Sequence, residues 1–307
     1  RRNGGHRFDW PQNVPQDVYK REPSTATSGT KILTSQTYQL LPASTMKLLA
    51  LSSTLLSTAT ALALPGRSWH KPAYFVLAGD STTAVQASGG GGWGDGFLNH
   101  TLWSPATGEN LGHNGATTVS FREGGDWAHA LELVEEHEKW WDVFVTIQFG
   151  HNDQKPKANI SLDEYSQNLG DFVDEVRSAG GTPILVTPLT RRSFSGDPPR
   201  IVESLSNETA ATIAVAKSKH ARYIDLNRAS TEYCNEIGPE ACHVYNLNDG
   251  GEVEKLNGED NTHLNVWGSI VFGRMVSDLM VEKYWDIAFW TNPNVTMSWQ
   301  IEHGVAV

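Results

Sequence analysis

The chain has 307 residues, of which 39% are hydrophobic and 19% charged, enough apolar material for one large core or two small ones. This composition excludes collagen-like, coiled-coil and wholly disordered chains, and two cysteines exclude a disulfide-dense miniprotein or an all-cysteine zinc site. Lys+Arg 24 against Asp+Glu 35 gives a net charge of −11, which disfavours nucleic-acid phosphate as a partner.

Residues 1–45 are rich in Pro, Ser, Thr, Gln and Arg and show no sustained periodicity. Met46-Lys47 then opens a charged start, the run LLALSSTLLSTATALA fills 48–63, and small-residue sites stand at Ala59-x-Ala61 and Ala61-x-Ala63. That order is the pattern of a secretory signal peptide. The expectation is a signal at 46–63, with Met46 the initiator and 1–45 a disordered extension upstream of it. Removing 1–63 leaves 17 basic against 32 acidic residues. No run of 18 or more strongly apolar residues is present, so no stable membrane insertion is expected. Secretion gives meaning to four N-x-[ST] sequons, at Asn99, Asn159, Asn207 and Asn294. It also makes a disulfide between Cys234 and Cys242 the expected state of that pair.

From Ala73 onward the pattern is regular. Near-continuous apolar runs occupy 74–78, 142–149, 182–189 and 221–226, with a weaker one near 109–113. Such runs read as strands of a parallel sheet covered on both faces. Helical stretches are predicted between and after them, at about 93–103, 125–140, 161–179, 200–219 and 265–283. Gly180-Gly181 closes one helix before the next strand. Repeated alternation predicts a single three-layer α/β domain over 64–283 with right-handed crossovers. The Trp-rich tail 284–307 is expected to pack on that domain.

Three polar clusters carry the chemistry. Gly79-Asp80-Ser81 follows the first strand, Gly150-His151-Asn152-Asp153 follows the third, and Asp260-Asn261-Thr262-His263 precedes the 265–283 helix. Gly115 lies in HNGATT, after the weak second strand. In open α/β sheets, sites form outside the carboxyl ends of strands at the switch in strand order. With order 2-1-3-4-5, Ser81, Gly115 and Asn152 meet there. Each cluster alone is a common turn or helix cap. Together they fit acyl transfer. A serine hydroxyl needs a base to remove its proton; His263 is that base, and Asp260 holds its tautomer. The Ser81 N–H, the Gly115 N–H and the Asn152 amide are available as oxyanion donors.

This set, in this order, resembles the SGNH (GDSL-like) hydrolase superfamily. The longer blocks LAGDST (77–82), GWGDGF (92–97), SFREGG (120–125), QFGHND (148–153) and DNTHL (260–264) resemble its rhamnogalacturonan acetylesterase branch, carbohydrate esterase family 12. HNGATT matches the family's second block only loosely. The resemblance spans about 73–283. It implies a three-layer α/β/α flavodoxin-like fold with a five-stranded parallel sheet, order 2-1-3-4-5. It implies a secreted, extracellular carbohydrate acetylesterase, without metal or other cofactor, acting on acetylated rhamnogalacturonan or pectin. Ser81 is then the nucleophile, Asp260 and His263 complete the triad, and Gly115 and Asn152 serve the oxyanion hole beside Ser81. A pectic backbone carries carboxylates, so Arg122, Arg191 and Arg192 are expected near the substrate, with Trp93 a surface on which sugar rings stack. A monomer is expected, with no nucleic-acid partner.

Other readings compete. Acetylxylan or another GDSL-type ester is the alternative substrate, and a catalytically silent carbohydrate-binding protein the alternative class. Gly89–Gly94 formally matches G-x-G-x-x-G, but it starts ten residues past the first strand's Gly79 and no G-K-[ST] follows; a flexible loop near the site is expected there. No G-x-S-x-G elbow occurs, which excludes the usual α/β-hydrolase lipase.

Overall fold

Seven residues of AYFVLAG are buried without exception, and their alternation decides which layer each one joins. In a strand, successive side chains point to opposite faces. Ala73, Phe75 and Leu77 therefore enter one apolar cluster, and Tyr74, Val76 and Ala78 the other. Burying a side chain such as Phe75 or Val76 completely contributes about 1.5–3 kcal/mol. The computed structural model describes residues 71–248 and 250–307; the signal-like stretch and the arm before it lie outside the described residues.

The central sheet comprises β1 (Ala73–Gly79), β2 (Thr107–Asn110), β3 (Asp142–Gln148), β4 (Thr182–Val186) and β7 (Arg222–Ile224). The intervening numbers belong to a short hairpin, β5 (Phe194–Ser195) and β6 (Arg200–Ile201). All sheet pairings are parallel, in the order β2-β1-β3-β4-β7. Counting sheet strands alone, this is the expected 2-1-3-4-5. One face is covered by α2 (Thr118–Glu123), α3 (Asp126–His137), α4 (Leu162–Ser178) and α5 (Ser206–Ser218). The other is covered by α1 (Gly94–His100), α6 (Leu226–His243) and α7 (Val266–Lys283). A second small sheet pairs β8 (Asn246–Leu247) antiparallel with β9 (Asp260–Leu264).

Several boundaries depart from the sequence reading. Residues 200–205 form β6 and a loop, and α5 begins only at Ser206. The run 221–226 is cut at Ile224 because the Asp225 side chain caps α6 by accepting the Arg228 N–H. Helix α6 was not anticipated; its pattern is broken by Gly238, whose φ of 79° lies in the left-handed region, and by Pro239. The Cys234–Cys242 disulfide closes across that break. The segment 260–264 is a strand, and Asn265 caps α7 through the Gly268 N–H at 2.8 Å. The tail adds α8 (Trp285–Ala288) and α9 (Val295–Glu302). It packs on the domain through buried Ile287 and Met297, and the Val307 backbone N–H donates to the Tyr233 and Tyr245 hydroxyls. No helix among the described residues is long and apolar enough to cross a membrane.

Candidate active site

The site is assembled where β1, β2 and β3 end. The β1–β3 pairing runs to Gly79 opposite Gln148, and the Asp80 N–H donates to the Gln148 carbonyl. On the other side, the His113 N–H donates to the Gly79 carbonyl. The three loops bearing Ser81, Gly115 and Asn152 therefore share one rim.

Ser81 sits in a tight turn organised by its neighbour. Asp80 Oδ1 accepts the Thr82 N–H at 2.8 Å and the Thr82 hydroxyl at 2.7 Å, and the Asp80 carbonyl accepts the N–H of Thr83 and Ala84. A side chain at Gly79 would place its Cβ 2.3 Å from Thr83 Oγ1, so this turn needs glycine before the acid. Behind the turn, the buried His151 imidazole stands 3.5 Å from Asp80 Oδ2. Burial opposes the Asp80 charge, but His151 and the Thr82 bonds outweigh it and hold the carboxyl below its usual range.

His263 Nε2 lies 2.8 Å from Ser81 Oγ, across 182 residues of chain. His263 Nδ1 lies 2.6 Å from Asp260 Oδ2. The other carboxylate oxygen, Asp260 Oδ1, accepts the backbone N–H of Thr262 at 2.9 Å and of His263 at 3.0 Å. Partial burial works against ionisation, yet these bonds and the imidazole keep Asp260 far below the ordinary carboxyl range. Asp260 stays anionic at any working pH, which places the imidazole proton on Nδ1 and leaves Nε2 free to accept from Ser81.

The oxyanion candidates flank this contact. Gly115 has φ of 82° and open space where a Cβ would stand. Among the described residues, neither the Ser81 N–H nor the Gly115 N–H has a hydrogen-bond partner. The Asn152 amide is anchored at both ends: Nδ2 donates to the Ala116 carbonyl at 2.9 Å, and Oδ1 accepts from Lys155 Nζ at 2.6 Å. An amide nitrogen carries two protons, so one remains available. Asp153 ties the second and third loops together, since its Oδ1 accepts both the N–H and the hydroxyl of Thr118. Burial pushes its carboxyl up to about 6, against those bonds, and the Asp80 charge adds to the rise.

The expected substrate residues fare differently. Trp93 is fully buried, and its indole N–H donates to Gln148 Oε1; it is core, because its apolar ring joins the cluster with Phe97. Arg122 is bound to Glu175 and lies over Phe172 in the helical layer. Arg192 is fully buried, so it has no face to offer a substrate. Only Arg191 stays beside the site, donating to the His151 carbonyl and to Ser204 Oγ. Sequence reasoning missed Lys155, exposed at the rim; its position three residues after Asn152 was the available signal. The glycine run, expected to be a flexible loop, is a hydrogen-bonded bracket. The Gly91 N–H donates to the Ser81 carbonyl, and the Gly91 carbonyl accepts the Leu264 N–H.

A serine, an imidazole and a carboxylate in contact at the carboxyl rim of a flavodoxin-like sheet define a hydrolase of the SGNH type. A family model described as GDSL-like Lipase/Acylhydrolase matches residues 77–269; the chain belongs to that family and is a carboxylic ester hydrolase. It is 31% identical over 221 residues to the rhamnogalacturonan acetylesterase RhgT of Bacillus subtilis, covering 68% of this chain and 89% of that protein. It is 27% identical over 210 residues to the probable rhamnogalacturonan acetylesterase YesY of the same organism, covering 66% and 90%. The crystal structure of YxiM from Bacillus subtilis shares the fold at a TM-score of 0.58 and 22% identity, over 70% of this chain and 57% of that one.

Proposed function

We propose that the protein is a secreted serine esterase that removes acetyl groups from a cell-wall polysaccharide, rhamnogalacturonan, through an acyl-enzyme. The observation that carries the reading is the continuous contact from Ser81 Oγ through the His263 ring to Asp260. Ser81 Oγ attacks the acetyl carbonyl while His263 Nε2 takes the hydroxyl proton. The oxyanion is held by the Ser81 N–H, the Gly115 N–H and the Asn152 amide. Collapse of the tetrahedral intermediate breaks the bond to the sugar oxygen, which leaves with the proton from His263. Water, deprotonated by the same imidazole, then releases acetate and restores Ser81.

The similarity to RhgT and YesY supports the substrate. A cationic rim at Arg191 and Lys155, beside Asn152, suits a backbone with uronate carboxylates, and an acidic chain needs such a local exception to bind one. The leader-like residues 46–63 and the Cys234–Cys242 disulfide support secretion. The sequon residues Asn99, Asn159, Asn207 and Asn294 are all exposed, as glycan acceptors must be. The test is acetate release from acetylated rhamnogalacturonan, acetylated xylan and a triacylglycerol, with Ser81→Ala as control. Release fastest from rhamnogalacturonan and abolished in the variant is expected; equal or faster release from xylan would move the substrate.

A further inference from the structure

The strand that presents Asp260 and His263 has little support of its own. Among the described residues its ladder partner is the two-residue β8, with a register slip between Asn246 and Leu247, and beyond that ladder the Leu264 N–H donates to the Gly91 carbonyl. Yet the strand's histidine must hold a 2.8 Å contact to a serine in the turn that follows β1 of the central sheet. Within this weak ladder lies a fully buried guanidinium. Arg192 has no ion-pair partner within 4.0 Å among the described residues, and burial pulls its pKa down to about 9. Burial disfavours this charge and the Asp260 carboxylate offsets only part of that, so the guanidinium depends on its hydrogen bonds.

We propose that Arg192 is a positioning residue that clamps the Asp260–His263 segment to the frame of the central sheet. Its Nη2 donates to the His263 carbonyl at 2.7 Å, and its Nε donates to Asn246 Oδ1 at 2.5 Å. One planar fork thus bridges β8 and β9 where their backbone ladder is irregular. Its own N–H donates to the Asn261 carbonyl at 2.8 Å. The triad strand is therefore gripped on both sides of Thr262, once by backbone and once by side chain. The other end of the clamp is fixed: Arg192 lies six residues past the end of β4, its carbonyl accepts from His243 Nε2 at 2.9 Å, and its guanidinium lies over the Phe272 ring of α7. The rigidity of β4 and α7 is carried to the His263 backbone. Lysine cannot replace it, since a single ammonium lacks the fixed fork that spans two acceptors.

The inference rests on the esterase reading above, and its test separates the two. Arg192→Met keeps the bulk and removes the fork. A misplacement of a catalytic group by about 1 Å costs about 100-fold. For an acetylated oligosaccharide, kcat is expected to fall about 100-fold with KM within about twofold. For p-nitrophenyl acetate the fall is expected to be smaller, about 10-fold, because nitrophenolate leaves without needing a proton from His263. A residue needed only for folding would lower both rates equally, in proportion to the folded fraction seen by thermal unfolding. Arg192→Lys is expected to restore little. Asn246→Ala, which frees Nε but keeps the charge, should show the same pattern at smaller size, and carries the test if the Met variant does not fold. Unchanged kcat per folded molecule, or equal losses on the two esters, overturns the clamp. Wild-type protein that hydrolyses neither ester, or hydrolyses both as well after Ser81→Ala, removes the esterase reading itself.

Discussion

Exchanging Asp260 for Asn isolates one proton. The carboxylate accepts the His263 Nδ1 proton at 2.6 Å through Oδ2 and two backbone N–H groups through Oδ1. An amide has one acceptor and one donor end. Its oxygen will face the two backbone N–H groups, which offer only donors, so its NH2 faces His263 Nδ1. The imidazole must then carry its proton on Nε2, where it points at Ser81 Oγ and cannot receive one. In a Ser-His-Asp triad this tautomer error costs about 10⁴ in kcat, or about 5.4 kcal/mol of barrier. Because Asp260 touches no substrate atom in this reading, KM should stay within about twofold. The assay is p-nitrophenyl acetate hydrolysis at pH 7–8, with thermal unfolding to confirm that the variant is folded. A folded Asp260→Asn enzyme retaining more than about a tenth of wild-type kcat would refute the assignment of Asp260 as the group that sets the tautomer.

Further outcomes follow from the same geometry. Asn152→Ala should lower kcat about 100- to 1,000-fold, the usual loss for one oxyanion donor, and should also lower Tm, because the buried Ala116 carbonyl loses its donor. Arg191→Ala and Lys155→Met should raise KM for acetylated rhamnogalacturonan but not for p-nitrophenyl acetate; equal effects on both would deny a carboxylate subsite. Asp153, with its carboxyl raised to about 6 in the folded protein from 3.8, favours folding when protonated. Its contribution is complete below about pH 3.8 and is lost as pH rises through about 6. The stability difference between wild type and Asp153→Asn, from urea melts, should therefore shift by about 3 kcal/mol across that window, and a flat difference counts against the raised value. Replacing Cys234 and Cys242 together by Ser should cost about 2.5 kcal/mol, from the chain entropy of a loop this short.

The strands of the central sheet were largely legible because burial on both faces demands an apolar residue at nearly every position. β1 and β3 meet that demand, whereas β2, T-G-E-N at the sheet edge, has no buried residue and alternates between exposed and half-buried positions, so it reads faintly. Helix α6 was hidden for the opposite reason: a glycine and a proline interrupt it, and local pattern treats both as stops. The candidate site residues were legible through residue type, and the structure brings Ser81, His263 and Asp260 into contact. Ser81 and Asn152 follow the adjacent sheet strands β1 and β3, whereas Asp260 and His263 arrive on β9 of the separate small sheet.

Arg191 and Arg192 are the instructive failure. They are adjacent and chemically identical, and sequence pattern gave both the same expected place near a substrate. One lies beside the oxyanion loop and the other is sealed under the triad strand. Their division depends on how the chain leaves β4 and what α6, α7 and β8 bring against it, contacts between residues tens of positions apart. Trp93 differs in the same way, since a tryptophan near a site reads alike whether its ring faces solvent or the core. Local preference and periodicity are short-range properties and are written in consecutive residues. The Ser81–His263 contact, the buried guanidinium and the bracket at Gly91 come from distant segments packed to one density, and that packing has no short-range signature.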